Sequence, residues 1–137
     1  MHRRLIVPFV IFLAFILLAC SMREENPAQS PSQVVEAFFK ALDAKEYQVA
    51  YGFLTEEFQN QMPLEVFSSS IEQGLTEYGL VSQTYEILKE EVQCDLARVS
   101  YRVTSLDKKG QKLEGEGVYT LKKENGQWRI DLIPASP

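Results

Sequence analysis

The chain has 137 residues, of which 45% are hydrophobic and 24% charged, and its 14 basic and 19 acidic side chains give a net charge of −5. This length accommodates one domain with its own hydrophobic core. The acidic balance argues against nucleic-acid binding, because such binding depends on basic side chains that neutralise phosphates.

The first segment has the layout of a secretory signal. Arg3 and Arg4 precede fourteen residues without a polar side chain, residues 5–18. A basic start followed by a short apolar run is typical of a signal peptide, whereas a membrane-spanning helix needs about 20 apolar residues. An ordinary cleaved signal peptide and an uncleaved N-terminal anchor are the alternatives to the lipoprotein signal described next.

A cysteine follows this apolar run directly. The motif Leu17-Leu18-Ala19-Cys20 resembles the lipobox of bacterial lipoproteins, which has Leu three residues before the cysteine and a small residue just before it. The resemblance implies cleavage before Cys20, a thioether-linked diacylglycerol on its sulfur, and often a third acyl chain, such as palmitate, on its amine. We therefore predict a signal peptide at 1–19 and a lipidated cysteine with a flexible tether at 20–29. The protein would be anchored to a membrane of the bacterial cell envelope, on the extracytoplasmic side.

Cleavage would change the charge and the cysteine content of the exported chain. Loss of Arg3 and Arg4 leaves 12 basic residues against 19 acidic ones, a net charge of −7. Anionic headgroups would repel such a domain, so membrane attachment would depend on the acyl chains of Cys20. Lipidation would also leave Cys94 as the single thiol, which excludes an intrachain disulfide.

Three helices are predicted after the tether. Ser30-Pro31-Ser32-Gln33 is a capping box with Pro at the first helical position, and this helix ends near Asp43-Ala44-Lys45. Pro63 opens the third helix, and Gly79 ends it. Thr55-Glu56-Glu57-Phe58 is either a break or a further helical turn. One face of the second helix carries Tyr47, Ala50, Tyr51 and Leu54.

From about Leu80 the pattern changes to that of strands. Residues 96–106 alternate between apolar and polar, which is typical of a half-buried strand. Asp107-Lys108-Lys109-Gly110 and Glu124-Asn125-Gly126 are hairpin turns, and Gly115 with Gly117 permits a bulge or bend between them. The last strand, residues 127–133, places Trp128, Ile130 and Leu132 on one face and Asp131 on the other. We expect Trp128 to be buried.

The order of these elements resembles a known superfamily. Ser-Pro-Ser-Gln-Val-Val-Glu-Ala-Phe-Phe-Lys-Ala-Leu and Tyr-Gln-Val-Ala-Tyr-Gly-Phe-Leu-Thr-Glu-Glu-Phe precede a third helix and a closing Gly-Gln-Trp-Arg-Ile-Asp-Leu strand. The pattern is similar to nuclear-transport-factor-2-like domains, especially those of unknown function on bacterial lipoproteins, and places the domain at 30–134. The resemblance implies an α+β cone of three N-terminal helices packed on a curved four-stranded antiparallel sheet. Relatives often dimerise through the sheet, so a homodimer is a further expectation.

Catalytic and metal-binding motifs are absent from the exported sequence. His2, the only histidine, would leave with the signal peptide, which excludes a histidine-based mechanism. The glycines are scattered, so no phosphate-binding loop is formed. Glu56-Glu57 and Glu90-Glu91 are adjacent pairs whose side chains diverge, so neither predicts a metal site. We expect no metal and no cofactor.

Two functions remain open. The first is a non-catalytic envelope lipoprotein whose domain binds a protein partner or a small apolar ligand. The alternative is a small isomerase or dehydratase-like enzyme with an Asp/Tyr pocket, as the ketosteroid-isomerase and polyketide-cyclase relatives imply. A hollow pocket would favour the enzyme, and a cone filled by Phe and Leu would count against it. The residues of the right type are Asp43, Asp131 and the pocket candidates Tyr47, Tyr51, Tyr85, Tyr101 and Tyr119, among which spacing selects no pair.

Overall fold

The computed structural model describes residues 28–133, so the predicted signal peptide and Cys20 lie outside the described residues. Within the described range, no helix is long and apolar enough to cross a membrane. The elements follow the predicted order, helices first and then antiparallel strands. They are α1 (Pro31–Asp43), α2 (Tyr47–Gly52), α3 (Glu56–Gln61), α4 (Leu64–Glu77), β1 (Leu80–Gln93), β2 (Leu96–Asp107), β3 (Lys112–Glu124) and β4 (Gln127–Asp131).

The first helix begins at the predicted capping box. The Gln33 backbone N–H donates to Ser30 Oγ at 3.2 Å, and the Ser30 backbone N–H donates to Gln33 Oε1 at 2.9 Å. Together the two bonds satisfy backbone donors that the first helical turn leaves without a partner. The helix then buries Val34, Val35 and Phe38 against the sheet. The start of α1 is as predicted.

The helical layer has four helices rather than the predicted three. Leu54 interrupts the layer because it pairs with Ile130 of β4 as an isolated bridge. The Ile130 N–H donates to Phe53 O at 2.8 Å, and the Thr55 N–H donates to Ile130 O at 3.0 Å. The Thr55 side chain then accepts from the Phe58 N–H at 3.3 Å and caps α3. Pairing with β4 therefore ends α2 and makes the segment after Thr55 a separate helix.

The sheet has the strand order β1-β2-β3-β4, with every pair antiparallel. Asn125 and Gly126 have the positive φ angles of 50° and 77° that the predicted Asn-Gly hairpin turn requires. Of the bulge or bend that Gly115 and Gly117 would permit, the bulge is not formed, because β2 and β3 pair without a register shift. The irregular pairing lies between β1 and β2 instead, around Val81 and Leu88.

The two faces of the sheet differ in polarity. The inner face packs under the helices, and its buried residues include Trp128, which is 8% exposed, as predicted. On the outer face Arg102 lies between Glu86 at 3.3 Å and Glu116 at 2.8 Å. Asp131 lies on the face opposite Trp128, also as predicted, and pairs with Lys122 at 3.0 Å. The outer face is therefore polar and largely neutralised by ion pairs.

Candidate functional site

Five aromatic side chains meet between α1 and the sheet. We call Phe38, Phe39, Tyr85, Tyr101 and Tyr119 the aromatic cluster. Phe39 is 4% exposed and stacks on Tyr85 with ring centroids 3.9 Å apart and an interplanar angle of 8°. Its ring also lies 5.0 Å from Tyr101 and 5.6 Å from Tyr119. Phe39 thus fills the space between α1 and strands β1, β2 and β3.

One glycine makes room for this cluster. Tyr101 of β2 pairs with Gly117 of β3, and the tyrosine ring lies across the glycine. A Cβ at position 117 would lie 2.5 Å from Tyr101 Oη and 2.6 Å from Cζ, closer than side-chain contacts allow. At Gly115, two residues earlier on the same face, a Cβ would find only Val103 Cγ1 at 3.8 Å. Gly117 therefore permits the position of the Tyr101 ring, and Gly115 has no comparable contact.

Two tyrosines of the cluster, Tyr85 and Tyr119, have raised pKa values. Burial raises the pKa of Tyr85 to about 12, with smaller contributions from the Asp43 carboxylate and Tyr101. Burial also raises the pKa of Tyr119 far above its usual value, assisted by Tyr101 beside it. At neutral pH these phenols are therefore hydrogen-bond donors and acceptors and do not act as bases.

A short chain of polar groups leads from Tyr85 into the sheet. The Tyr85 hydroxyl donates to Gln83 Oε1 at 2.9 Å, and Gln83 Nε2 donates to Ser105 Oγ at 3.1 Å. Ser105 is buried on the inner face. In the part of the chain that the structure describes, every buried side-chain nitrogen and oxygen has a hydrogen-bond partner. The interior polar groups are thus satisfied by one another.

An open groove lies beside the cluster, between α1 and β1. We call it the edge groove; its volume is about 400 Å³, within the range of small-ligand clefts. Glu36, Lys40 and Asp43 of α1 form its charged rim, and none of the three has an ion-pair partner among residues 28–133. The edge groove is lined by Glu36, Phe39, Lys40, Asp43, Gln83, Thr84, Tyr85 and Ile87.

Asp43 and Gln83 also line a second, more polar groove of about 270 Å³ between α4 and the start of β1. Here the Tyr47 hydroxyl donates to the Glu72 carboxylate, and Lys45 Nζ lies 3.4 Å from Glu72 Oε1. Burial raises the pKa of Tyr47 to about 12, with the bond to Glu72 adding to it. The bond from Tyr47 in turn lowers the pKa of Glu72. These charges neutralise each other locally.

The five pocket candidates fall in three places. Tyr85, Tyr101 and Tyr119 share the aromatic cluster, whereas Tyr47 bonds Glu72 at the second groove. Tyr51 lies inside the helical layer, where its hydroxyl donates to the carbonyls of Met62 at 2.7 Å and Gln59 at 3.0 Å. No group of three or more potential metal ligands occurs within residues 28–133. The structure therefore brings together only the three tyrosines that belong to strands.

Sequence reasoning missed Phe39, Gln83 and Ser105. Phe39 could have been found, because it lies four residues after Val35 and hence on the same side of the helix. Gln83 and Ser105 pair across β1 and β2, at separations of 22 residues along the chain. No local pattern identifies such a pair.

Cys94 lies in the two-residue turn between β1 and β2, with a φ of 52°. It is disulfide-bonded, which differs from the expectation of a single thiol in the exported chain. A cysteine with a thioether-linked lipid has no thiol left for a disulfide. Lipidation of Cys20 and a disulfide that uses both cysteines of the chain are therefore mutually exclusive forms of the protein.

Comparison with solved structures supports the fold. A SEC-C motif containing protein from Rhodopseudomonas palustris superposes with a TM-score of 0.63 at 13% identity, over 79% of this chain and 80% of that one. A candidate nuclear-transport-factor-2-like transpeptidase from Campylobacter jejuni gives 0.51 at 15% identity, over 77% and 100%. A candidate calcium/calmodulin-dependent protein kinase type II association domain from Thiobacillus denitrificans gives 0.57 at 11% identity, over 77% and 93%.

No family model and no curated protein matches the sequence. At these identities the structural likeness concerns the fold alone. The described residues form an α+β nuclear-transport-factor-2-like cone, as predicted. This fold includes both ligand-binding proteins and enzymes, so function has to be argued from the site.

Proposed function

We propose that the protein is a lipid-anchored envelope protein whose domain binds a partner in the edge groove without catalysis. The observation that carries the proposal is the position of Phe39. Its ring fills the space between α1 and the strands, while the groove between α1 and β1 stays open to solvent. The surface available for binding is therefore the edge groove, at the side of the cone.

The ionisable groups support binding over acid–base chemistry. A general base of this fold would be a carboxylate whose pKa is displaced by an apolar enclosure. Asp43, the carboxylate beside the cluster, is exposed, and Asp131 pairs with Lys122 on the outer face. The tyrosines stay protonated because burial raises the pKa values of Tyr85 and Tyr119. Aromatic and charged groups in an open groove are suited to recognition.

Lipidation of Cys20 would determine where the domain meets its partner. Two acyl chains are enough for stable anchoring, whereas the exported chain of net charge −7 would have no electrostatic attraction to anionic lipids. The partner would then be an envelope component within reach of the tether at 20–29.

Photo-crosslinking in intact cells tests the proposal. A photoreactive phenylalanine analogue replaces Thr84, which is exposed in the edge groove. In the control, the analogue replaces Thr120, which is exposed on β3 and lies outside the groove. Thr84 should give a discrete crosslinked product that Thr120 lacks, and Cys20→Ala should abolish it by detaching the protein from its membrane. Identical products from both positions, or none from either, would contradict binding in the groove.

One observation favours the enzyme alternative. Asp43 lies close enough to Tyr85 for its charge to raise the pKa of that phenol, and Gln83 accepts the phenol's hydrogen bond. An Asp/Tyr pair in a groove is the arrangement that the alternative requires. If the protein turned over a small carbonyl substrate, and Tyr85→Phe removed this activity while thermal stability was retained, the binding proposal would be replaced.

A further inference from the structure

The sheet has one free edge in the described part of the chain. The outer edge of β4 is bonded to residues 53–55 through Phe53 O and the Thr55 N–H. On the other side, β1 is 14 residues long and pairs only with β2. A long edge strand offers a row of backbone donors and acceptors to another chain, unless charges, proline or bulges block it.

Such blocking features are unevenly spread along β1. Residues 89–91 are Lys-Glu-Glu, and the register shift between Ile87 and Lys89 precedes them. A second register shift lies at the start of the strand, between Leu80 and Ser82. Between the two shifts, residues 82–87 contain a single charge, Glu86, which is held on the outer face by Arg102 at 3.3 Å. This stretch is also the part of β1 that lines the edge groove.

The backbone of residues 82–87 forms a wall of the edge groove. Thr84 and Tyr85 are consecutive and point to opposite faces of the sheet, yet both line the groove, so the strand edge between them faces it. Phe39, Tyr85 and Ile87 provide an apolar floor. The groove thus combines unpaired main chain with a place for apolar side chains, which is what strand addition uses.

The charged rim of the edge groove favours one sign of charge in a bound segment. Side chains of the outer face are paired, for example Lys89 with Glu91 at 2.8 Å and Lys112 with Glu114 at 3.0 Å. The groove has two carboxylates, Glu36 and Asp43, around one lysine, Lys40, and no ion pair joins them. This leaves an excess negative charge that favours a basic side chain in the occupant.

We infer that an extended segment of a partner protein adds as a strand to residues 82–87 of β1, with apolar side chains over Phe39, Tyr85 and Ile87 and a basic side chain at Asp43. The inference rests on the proposed function, since it assigns the kind of partner to the same groove. It goes further in requiring main-chain pairing, which a compact small ligand does not make.

The test uses the full chain in detergent and a fluorescent nonapeptide, Thr-Lys-Thr-Val-Thr-Val-Thr-Lys-Thr. Its alternation places valine and lysine on one face in either strand direction. In two further peptides proline replaces the fourth or the fifth residue. Proline has no backbone N–H, and successive N–H groups of a strand point to opposite sides, so one of these two peptides must lose a hydrogen bond to β1. A fourth peptide has glutamate in place of lysine. Binding is read by anisotropy, and strand addition by hydrogen exchange in residues 83–87.

We expect the parent peptide to bind and to slow exchange in residues 83–87, one proline peptide to fail, and the glutamate peptide to bind more weakly. Asp43→Asn should weaken binding by about two- to fivefold, Lys40→Gln should strengthen it by a similar factor, and the exposed control Glu65→Gln should leave it unchanged. The inference is overturned if no peptide binds below about 1 mM, if both proline peptides bind like the parent, or if protection appears elsewhere. Should Thr84 still crosslink a cellular partner, the proposed function would survive that failure.

Discussion

Replacing Gly117 by alanine should destabilise the protein through one contact, the Tyr101 ring. The added Cβ would lie 2.5 Å from Tyr101 Oη, about 1 Å inside normal contact. The ring cannot swing away freely, because its centroid lies 4.7 Å from that of Tyr119 and 5.0 Å from that of Phe39. Overpacking of this kind costs about 1–3 kcal/mol.

A second effect has the opposite sign. Alanine restricts the unfolded chain more than glycine does, which stabilises the fold by about 0.4–1 kcal/mol where the backbone is compatible. Gly117 is not among the positive-φ glycines, so its backbone accepts alanine. The net loss for Gly117→Ala should be up to about 2.5 kcal/mol, while Gly115→Ala, whose Cβ has only an ordinary contact, should be neutral or slightly stabilising.

A double-mutant cycle isolates the contact. Urea unfolding of the full chain in detergent is measured for Gly117→Ala, Tyr101→Ala and the pair. In the Tyr101→Ala background the steric cost disappears, so the coupling energy should be about 1–3 kcal/mol. Equal costs of Gly117→Ala in both backgrounds, or a loss at Gly115→Ala as large as at Gly117→Ala, would refute the reasoning.

Three further predictions concern other parts of the chain. Metabolic labelling with a palmitate analogue should tag the protein and fail on Cys20→Ala; an unlipidated chain with both cysteines in one disulfide would contradict the lipobox prediction. Trp128→Ala should lower the free energy of unfolding by ~3–5 kcal/mol, because the ring is buried, and a loss below about 1 kcal/mol would be incompatible with a packing role for it. Stability should decline between pH 10 and about 12, since the folded-state pKa of Tyr85 is about 12 and that of Tyr119 is also raised above the free value near 10. Urea midpoints are compared at about pH 9 and pH 11.5. The midpoint should fall less in Tyr119→Phe than in the wild type. An equal fall would exclude ionisation of Tyr119 as a cause.

Local patterns predicted the elements well because their signals lie within a few residues. The capping box of Ser30 and Gln33, the Asn125-Gly126 turn and the alternation around Trp128 each depend on neighbours along the chain, and the structure contains all three. The sequence does not decide whether a separate helix follows Thr55, because the residue that interrupts the helical layer pairs with a residue far along the chain. Phe53 and Thr55 are bonded to Ile130, and no pattern near Thr55 encodes those bonds.

The candidate site was less predictable for the same reason. Tyr85, Tyr101 and Tyr119 were identified as a residue type suited to a pocket, but not as a group around Phe39. Their grouping depends on the register of three strands under α1, in which Val99 faces Tyr119 and Tyr101 faces Gly117. The roles of the two glycines also differ through a single neighbouring ring, which the sequence does not reveal.

The bonds between residues 53–55 and Ile130 bear on when the domain can fold. The helices come first along the chain, yet the segment between α2 and α3 bonds Ile130, which is synthesised some 75 positions later. These contacts can therefore form only when nearly the whole domain is present. Folding that depends on distant contacts is slow, because the intervening chain must first be ordered. A chain that emerges from a channel with its N-terminus leading would therefore complete this domain only after β4 had emerged.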